Sequence, residues 1–104
     1  MSRRYQITVP ANQDLEEILR QIAETSGFDR ADQFLSRFTQ KLRNIASFPN
    51  LGKPRKEWGE NYRSLIQDNY LIVYRVTDEV VEILRVVSGY RDLDTLFNED
   101  QDNP

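Results

Sequence analysis

The chain has 104 residues, 17 acidic against 14 basic side chains, a net charge of −3, and neither cysteine nor histidine. That length supports one hydrophobic core and not two. The composition excludes disulfides, thiolate metal sites and imidazole acid–base chemistry, so any catalysis must rest on Lys, Arg, Tyr, Asp or Glu. No run approaches the roughly 18 apolar residues of a membrane span. Met1-Ser-Arg-Arg-Tyr leads into a strand pattern rather than a signal peptide's apolar core, so a cytoplasmic location is expected. The charge is unevenly divided. Residues 1–91 hold all the basic residues and 12 of the acids, while residues 92–104 hold five acids and no base. A near-neutral body lacks the cations of a domain that grips nucleic acid unaided.

In chain order, Tyr5, Ile7 and Val9 alternate as one face of a strand that Pro10 should end. Asn12 reads as an N-cap, with Asp14, Glu16 and Glu17 in the first turn of a helix, where the dipole favours negative charge. Leu15, Ile18, Leu19 and Ile22 form its apolar stripe, and Gly27 its left-handed C-cap. Asp29 reads as the N-cap of a second helix, whose stripe is Ala31, Phe34, Leu35, Phe38, Leu42, Ile45 and Ala46. The short link makes the pair an antiparallel hairpin.

Residues 48–60 are irregular, broken by two prolines and two glycines. Lys53, Arg55 and Lys56 lie close to Trp58, a cluster suited either to phosphate or an acidic protein surface, or to a solvated loop pinned by Leu51 and Trp58.

Three β-rich runs follow at residues 61–67, 70–76 and 80–87, with Asp68-Asn69 as a tight turn. The breaks are too short for a crossover helix, so the runs form an antiparallel meander. Strict alternation puts Val81, Ile83, Arg85 and Val87 on one face of the last strand. Arg63, Arg75 and Arg85 are expected near one another, either paired with Glu82, Asp68 or Asp78 or facing an anion. Gly89 permits the exit from the sheet, and Leu93, Leu96 and Phe97 are expected to dock back on it. Residues 1–97 are read as a single domain and the acidic residues 98–104 as a disordered tail.

The order of elements, with particular residues, resembles the RelE/ParE superfamily of type II toxins, on the ParE side. The pieces are Tyr5-x-Ile7, Asp14-Leu15-Glu16-x-Ile18, Phe48-Pro49-x-Leu51-Gly52-Lys53-Pro54-Arg55, and Tyr62-Arg63-x-Leu65 ahead of Tyr70–Arg75. Val81–Val87 and Gly89-Tyr90-Arg91-Asp92 complete it. The resemblance covers residues 3–97 and implies a small α+β toxin: an N-terminal strand, a helix hairpin and a three-stranded meander. It further implies neutralisation by a cognate antitoxin that wraps the hairpin and often adds to the sheet edge.

RelE-like members cut messenger RNA on the ribosome, and ParE-like members poison DNA gyrase. The ribonuclease set is incomplete here: Leu71 and Phe97 stand where that set has a basic residue and a tyrosine, and Ser88 stands where many relatives have histidine. The expected function is therefore gyrase binding without chemistry, with neither metal nor cofactor, and with operator DNA met only through the antitoxin. A ribonuclease using Arg63, Arg91, Lys53 and Tyr90, or an inactive antitoxin-binding member, is the alternative. Lys53, Arg55, Lys56, Trp58, Arg63 and Arg91 are the expected target surface, with Arg63 and Arg91 about 15–20 Å apart at opposite strand ends. Ile22, Phe28 and Phe38, at the stripe edges, are the expected antitoxin contacts.

Overall fold

The apolar stripes decide the layering: two amphipathic helices have one place to bury their faces, against a sheet. The structure, a computed structural model, describes residues 4–88. Strand β1 (Arg4–Ile7) leads into helix α1 (Val9–Ser26) and helix α2 (Phe28–Ser47). A 3₁₀ turn (Pro49–Leu51) and a short strand β2 (Lys53–Pro54) precede the meander of β3 (Tyr62–Gln67), β4 (Tyr70–Val76) and β5 (Val80–Ser88). The sheet has five strands in the order β1-β5-β4-β3-β2. The meander is antiparallel as its short breaks require, and β1 adds in parallel beside β5. The expected exit at Gly89, the docking of Leu93, Leu96 and Phe97, and the tail lie outside the described residues.

The core forms between the hairpin and one sheet face. Leu15, Ile18, Phe34, Phe38, Leu42 and Ile45 meet Ile72, Tyr74, Val81, Ile83 and Val86, all under 10% exposed. Each such aliphatic side chain contributes roughly 1.5–3 kcal/mol by leaving water. Phe34 also stacks on Phe38 and meets Tyr70 edge-on at 5.3 Å between centroids.

The start of α1 corrects two expectations. Pro10 does not end a strand but occupies the helix's first turn, where its missing N–H costs nothing. The N-cap is Thr8 and not Asn12: the Thr8 hydroxyl accepts from Ala11 N at 3.3 Å. Likewise Gly27, and not Asp29, precedes α2, and Asp29 falls in that helix's first turn. Gly27 serves both helices with φ 94° and ψ 165°, outside the left-handed helical well but still in positive φ.

The largest departure is in β5. Val73 faces Arg85 but Tyr74 faces Ile83, so Leu84 is an extra residue, a β-bulge. The bulge swaps faces beyond it. Val81 and Ile83 point into the core as alternation requires, but then Val86 does, in place of Arg85 and Val87. A bulge leaves backbone groups without ladder partners, and α1 supplies them. Thr8 Oγ1 shares its one hydrogen between Ile83 O at 2.9 Å and Leu84 O at 3.2 Å, and Ile83 O also accepts from Thr8 N at 3.0 Å. Val86 N donates to Asp14 Oδ2 at 2.9 Å, and Arg85 grips the same carboxylate through Nε at 2.7 Å and Nη2 at 3.1 Å. Burial pushes the Asp14 carboxyl upward, but the Arg85 guanidinium and the Val86 N–H outweigh it and hold its pKa below the ordinary value.

Arg85 therefore pairs with helix α1 and not with Glu82, Asp68 or Asp78. Arg75 does pair with Glu82, Nε to Oε1 at 2.9 Å, and Asp68 takes Arg37 at 3.0 Å. The three arginines form no common patch.

A second clasp fixes the segment after α2. The Tyr74 hydroxyl, at the end of a fully buried ring, donates to Pro49 O at 2.7 Å and accepts from Gly52 N at 2.8 Å. Arg63 Nη1 donates to Gly52 O at 2.7 Å and Asn50 O at 3.4 Å. Gly52 is required by close approach: a Cβ there would lie 2.6 Å from Tyr74 Oη and 2.7 Å from the Ser64 carbonyl. The Leu51 side chain, expected to pin the loop, is 48% exposed and does not.

Three substitutions test these clasps. Asp14→Asn should lower stability by about 1–3 kcal/mol at pH 7, the cost of losing charge-assisted hydrogen bonds. Because Asp14 titrates lower in the folded chain than its unfolded value of about 3.9, its contribution is complete above that value. It fades as pH falls through the folded pKa. Urea unfolding at pH 7 and pH 3 should show the gap between wild type and Asp14→Asn narrowing in acid. Tyr74→Phe, which strands Gly52 N–H, should cost about 1–3 kcal/mol in the same assay, and Gly52→Ala should cost about 1–3 kcal/mol through overpacking.

Candidate interaction surface

The residues expected to meet a target fall into three groups once their contacts are known. Lys53 and Lys56 are exposed, Lys53 on β2 opposite Ser64. Arg63, the partner of Pro54 across that ladder, turns its guanidinium back onto the 50–52 carbonyls and borders the cleft described below. Arg55 is buried at 9% exposure. Its Nε donates to Ser64 Oγ at 2.7 Å, its Nη1 lies 3.7 Å from Glu57, and its guanidinium sits 5.0 Å from the Trp58 ring centroid. Arg55 and half-buried Trp58 thus hold the loop in shape rather than offer a cation to a partner, a correction to their expected role. Burial of a guanidinium needs this set of partners, since an unpaired buried charge is prohibitively costly. Arg91 and Tyr90 lie outside the described residues.

Lys56 and Arg63 line an open cleft of about 520 Å³, together with Asn50, Glu60, Asn61 and Tyr62. Asn61 enters β3 at φ 68°, and its carbonyl accepts from Val76 N at 3.0 Å. The cleft therefore has a rigid floor of β3 and β4 and a wall of loop. Its charges are mixed: the Glu60 carboxylate shares it with the two cations. Among the described residues no three His, Asp or Glu side chains are grouped to hold a metal ion, and no helix is long and apolar enough to cross a membrane.

The residues expected to meet an antitoxin divide differently. Phe28 is 80% exposed at the tip of the hairpin, where a side chain of that size costs solvation unless something covers it. Ile22 is half-buried and packs against the core. Phe38 is 1% exposed and stacked on Phe34. Its stripe position is central and not marginal, so its side chain is not available to a partner in the folded chain. A charge at Phe38 would report on folding and not on an interface.

Sequence reasoning missed two exposed apolar side chains. Phe48, at the C-terminal end of α2, is 69% exposed, and Ile66 on β3 is 49% exposed. The available signal was Phe48 itself, which falls outside the helical stripe and precedes a proline. It also missed Tyr74, whose phenol had to find a partner once the ring was assigned to the core. Burial pushes the Tyr74 pKa up, against the pull of Gly52 N–H and Arg63, so the phenol is a neutral structural group.

With the geometry in place, comparison with known proteins is informative. Residues 5–93 match the family described as the ParE toxin of type II toxin–antitoxin system, parDE. Toxin ParE1 of Mycobacterium tuberculosis is 32% identical over 95 residues, covering 90% of this chain and 97% of its own. Toxin ParE3 of Caulobacter vibrioides is 29% identical over 86 residues, 83% of this chain and 86% of its own. Among solved structures, a chromosomal ParDE system from P. aeruginosa superposes with a TM-score of 0.71 at 19% identity, over 84% of this chain and 96% of that one. The toxin–antitoxin complex RelBE2 from Mycobacterium tuberculosis gives 0.59 at 22% identity, over 85% and 99%. These structures share the fold, and several of those matched are toxin–antitoxin complexes. With a family match spanning most of its length, the chain belongs to the ParE toxins of type II toxin–antitoxin systems.

Proposed function

We propose that this toxin acts by binding and inhibiting DNA gyrase, performs no chemistry on it, and is held inactive by a cognate antitoxin that covers the helix hairpin around Phe28. The observation that supports a binding role is the mixed charge of the cleft. A ribonuclease must gather cations and a proton donor within about 3 Å of one phosphate. In this cleft Glu60 stands with Lys56 and Arg63, and Arg63 is turned toward main-chain carbonyls. A carboxylate in the same cleft repels a phosphate and suits a protein surface that carries both signs. The near-neutral body supports contact with operator DNA through the antitoxin alone.

Purified toxin should inhibit supercoiling by gyrase, and the antitoxin should relieve it; full supercoiling at excess toxin would refute the proposal. Lys53→Glu and Lys56→Glu should each weaken inhibition about 3–10-fold, as single charges at a rim do, while antitoxin affinity measured by calorimetry stays unchanged. Phe28→Ala should do the reverse, weakening antitoxin binding and leaving gyrase inhibition intact. A reporter message should survive on ribosomes incubated with the toxin.

A further inference from the structure

One wall of the cleft is the loop between β2 and β3, and its floor is β3 and β4. Lys56, Gly59 and Glu60 line it from the loop, Tyr62 and Arg63 from β3, and Val76 from β4. The lining charges therefore come from two bodies, Lys56 and Glu60 from the loop and Arg63 from the strand. Arg63 is fixed where it stands by the Gly52 and Asn50 carbonyls. Lys56 and Glu60 stand only as firmly as the loop does.

The loop follows a path that needs outside support. Within it Trp58 N donates to Arg55 O at 3.0 Å and Gly59 N to Lys56 O at 3.2 Å, which closes a turn. Gly59 has φ 138° and Asn61 has φ 68°. A non-glycine residue at positive φ persists where surrounding contacts hold it there. At the far end of the loop, Val76 N donates to Asn61 O at 3.0 Å. Gly59 lies so close to Tyr62 that a Cβ on it would be 2.9 Å from the ring.

At the near end the hold is Arg55. Its N donates to Tyr62 O at 2.8 Å, and its side chain turns inward, buried and outside the cleft's lining. Nε reaches the floor, donating to Ser64 Oγ on β3 at 2.7 Å. Nη1 lies 3.7 Å from Glu57, and the guanidinium 5.0 Å from the Trp58 ring centroid, both in the loop. One planar cation thus joins wall to floor. Lysine cannot do the same, because an ammonium is a point charge with neither the fork nor the flat face. Charged groups held at a fixed spacing before binding lose little entropy on binding.

We propose that Arg55 is the positioning residue of the target surface: without touching the target, it sets where Lys56 and Glu60 stand relative to Arg63. This rests on the target reading above, in which the cleft meets gyrase. Affinity then depends on the loop's shape as well as on its charge. A change that keeps every charge but loosens the loop weakens binding.

Two variants of the full chain test this. Arg55→Lys keeps the charge and loses the fork. Ser64→Ala removes the anchor on the floor, changes no charge and lies outside the lining. Each should raise the toxin concentration needed for half-inhibition of gyrase about 3–30-fold, the range for residues that act on a ligand without contact. The loss should appear as faster dissociation from immobilised gyrase, with the salt dependence of association unchanged. Lys56→Gln, which removes a steering charge, should flatten that salt dependence instead. Trp58, the single tryptophan, should become more open to acrylamide quenching in both variants. Circular dichroism and antitoxin affinity should match wild type. Arg37→Gln, which breaks an exposed ion pair with Asp68, is the control that should change neither inhibition nor quenching. Where Arg55→Lys fails to fold, Ser64→Ala decides alone.

Wild-type inhibition by a folded variant overturns the assignment and leaves gyrase targeting standing. So does unchanged Trp58 quenching, and so does an equal loss of antitoxin affinity, which marks a general loosening of the fold. If wild-type toxin fails to inhibit gyrase at all, the proposed target is wrong, and growth arrest on induction decides Arg55 separately. Weaker arrest by Arg55→Lys with antitoxin affinity intact upholds the assignment. Arrest equal to wild type, or a wild type that arrests nothing, overturns it.

Discussion

The carboxylate of Asp14 is the contact on which the two layers depend. A sheet with a bulge in its longest strand exposes unpaired backbone groups inside the domain, and such groups destabilise a fold unless something satisfies them. Asp14 takes the Val86 N–H and the Arg85 guanidinium together, and Thr8 takes the carbonyls of Ile83 and Leu84. One end of α1 is thereby stitched to β5 at the point where β5 changes face. The burial of Val86, and through it the packing of Ile72 beneath α1 and α2, follows from that stitch. Helix, bulge and sheet register are one device.

Much of this fold was legible because its signals are local and periodic. Leu15, Ile18, Phe34, Leu42 and Ile45 lie at helical spacing, and spacing alone assigns them to a buried face. Asp68 at φ 55° fits the tight turn that its residue type allows. Arg75 and Glu82 meet because the antiparallel register opposes them. What escaped was non-local or aperiodic. An inserted residue at Leu84 leaves one faint trace in an apolar run: Arg85, a charge that strict alternation would set on the core face with Val81 and Ile83. Asp14 and Arg85 are 71 positions apart. Thr8 looks like a strand residue until the strand beside it is known.

The expected target residues were legible as a basic stretch of sequence and not as a set of contacts. Lys56 and Arg63 line one cleft, whereas Lys53 stands on β2 opposite Ser64 and is not part of its lining. Charge counting cannot tell a cation turned outward from one consumed by the fold, and Arg55 is of the second kind: its Ser64, Glu57 and Trp58 partners compensate its burial. Nor can hydrophobicity tell Phe38 from Phe28. Both are phenylalanines of α2, yet one is enclosed and the other is almost wholly in water, because ten positions on a helix turn one toward the sheet and leave the other at its open end.

The parallel pairing of β1 with β5 has a consequence for how the molecule comes into being. The first strand finds its neighbour only when residues 80–83 exist, so the earliest structure made by the ribosome waits for nearly the last. Long-range closure of this kind slows folding, while the helix hairpin needs only local contacts. A nascent chain stopped before Val80 keeps both helices but has neither Ile83 for Thr8 nor Arg85 for Asp14. The β4 edge where β5 will pair and the first turns of α1 then stay unfastened. The toxin closes late in its own synthesis, when its first strand is locked in by β5.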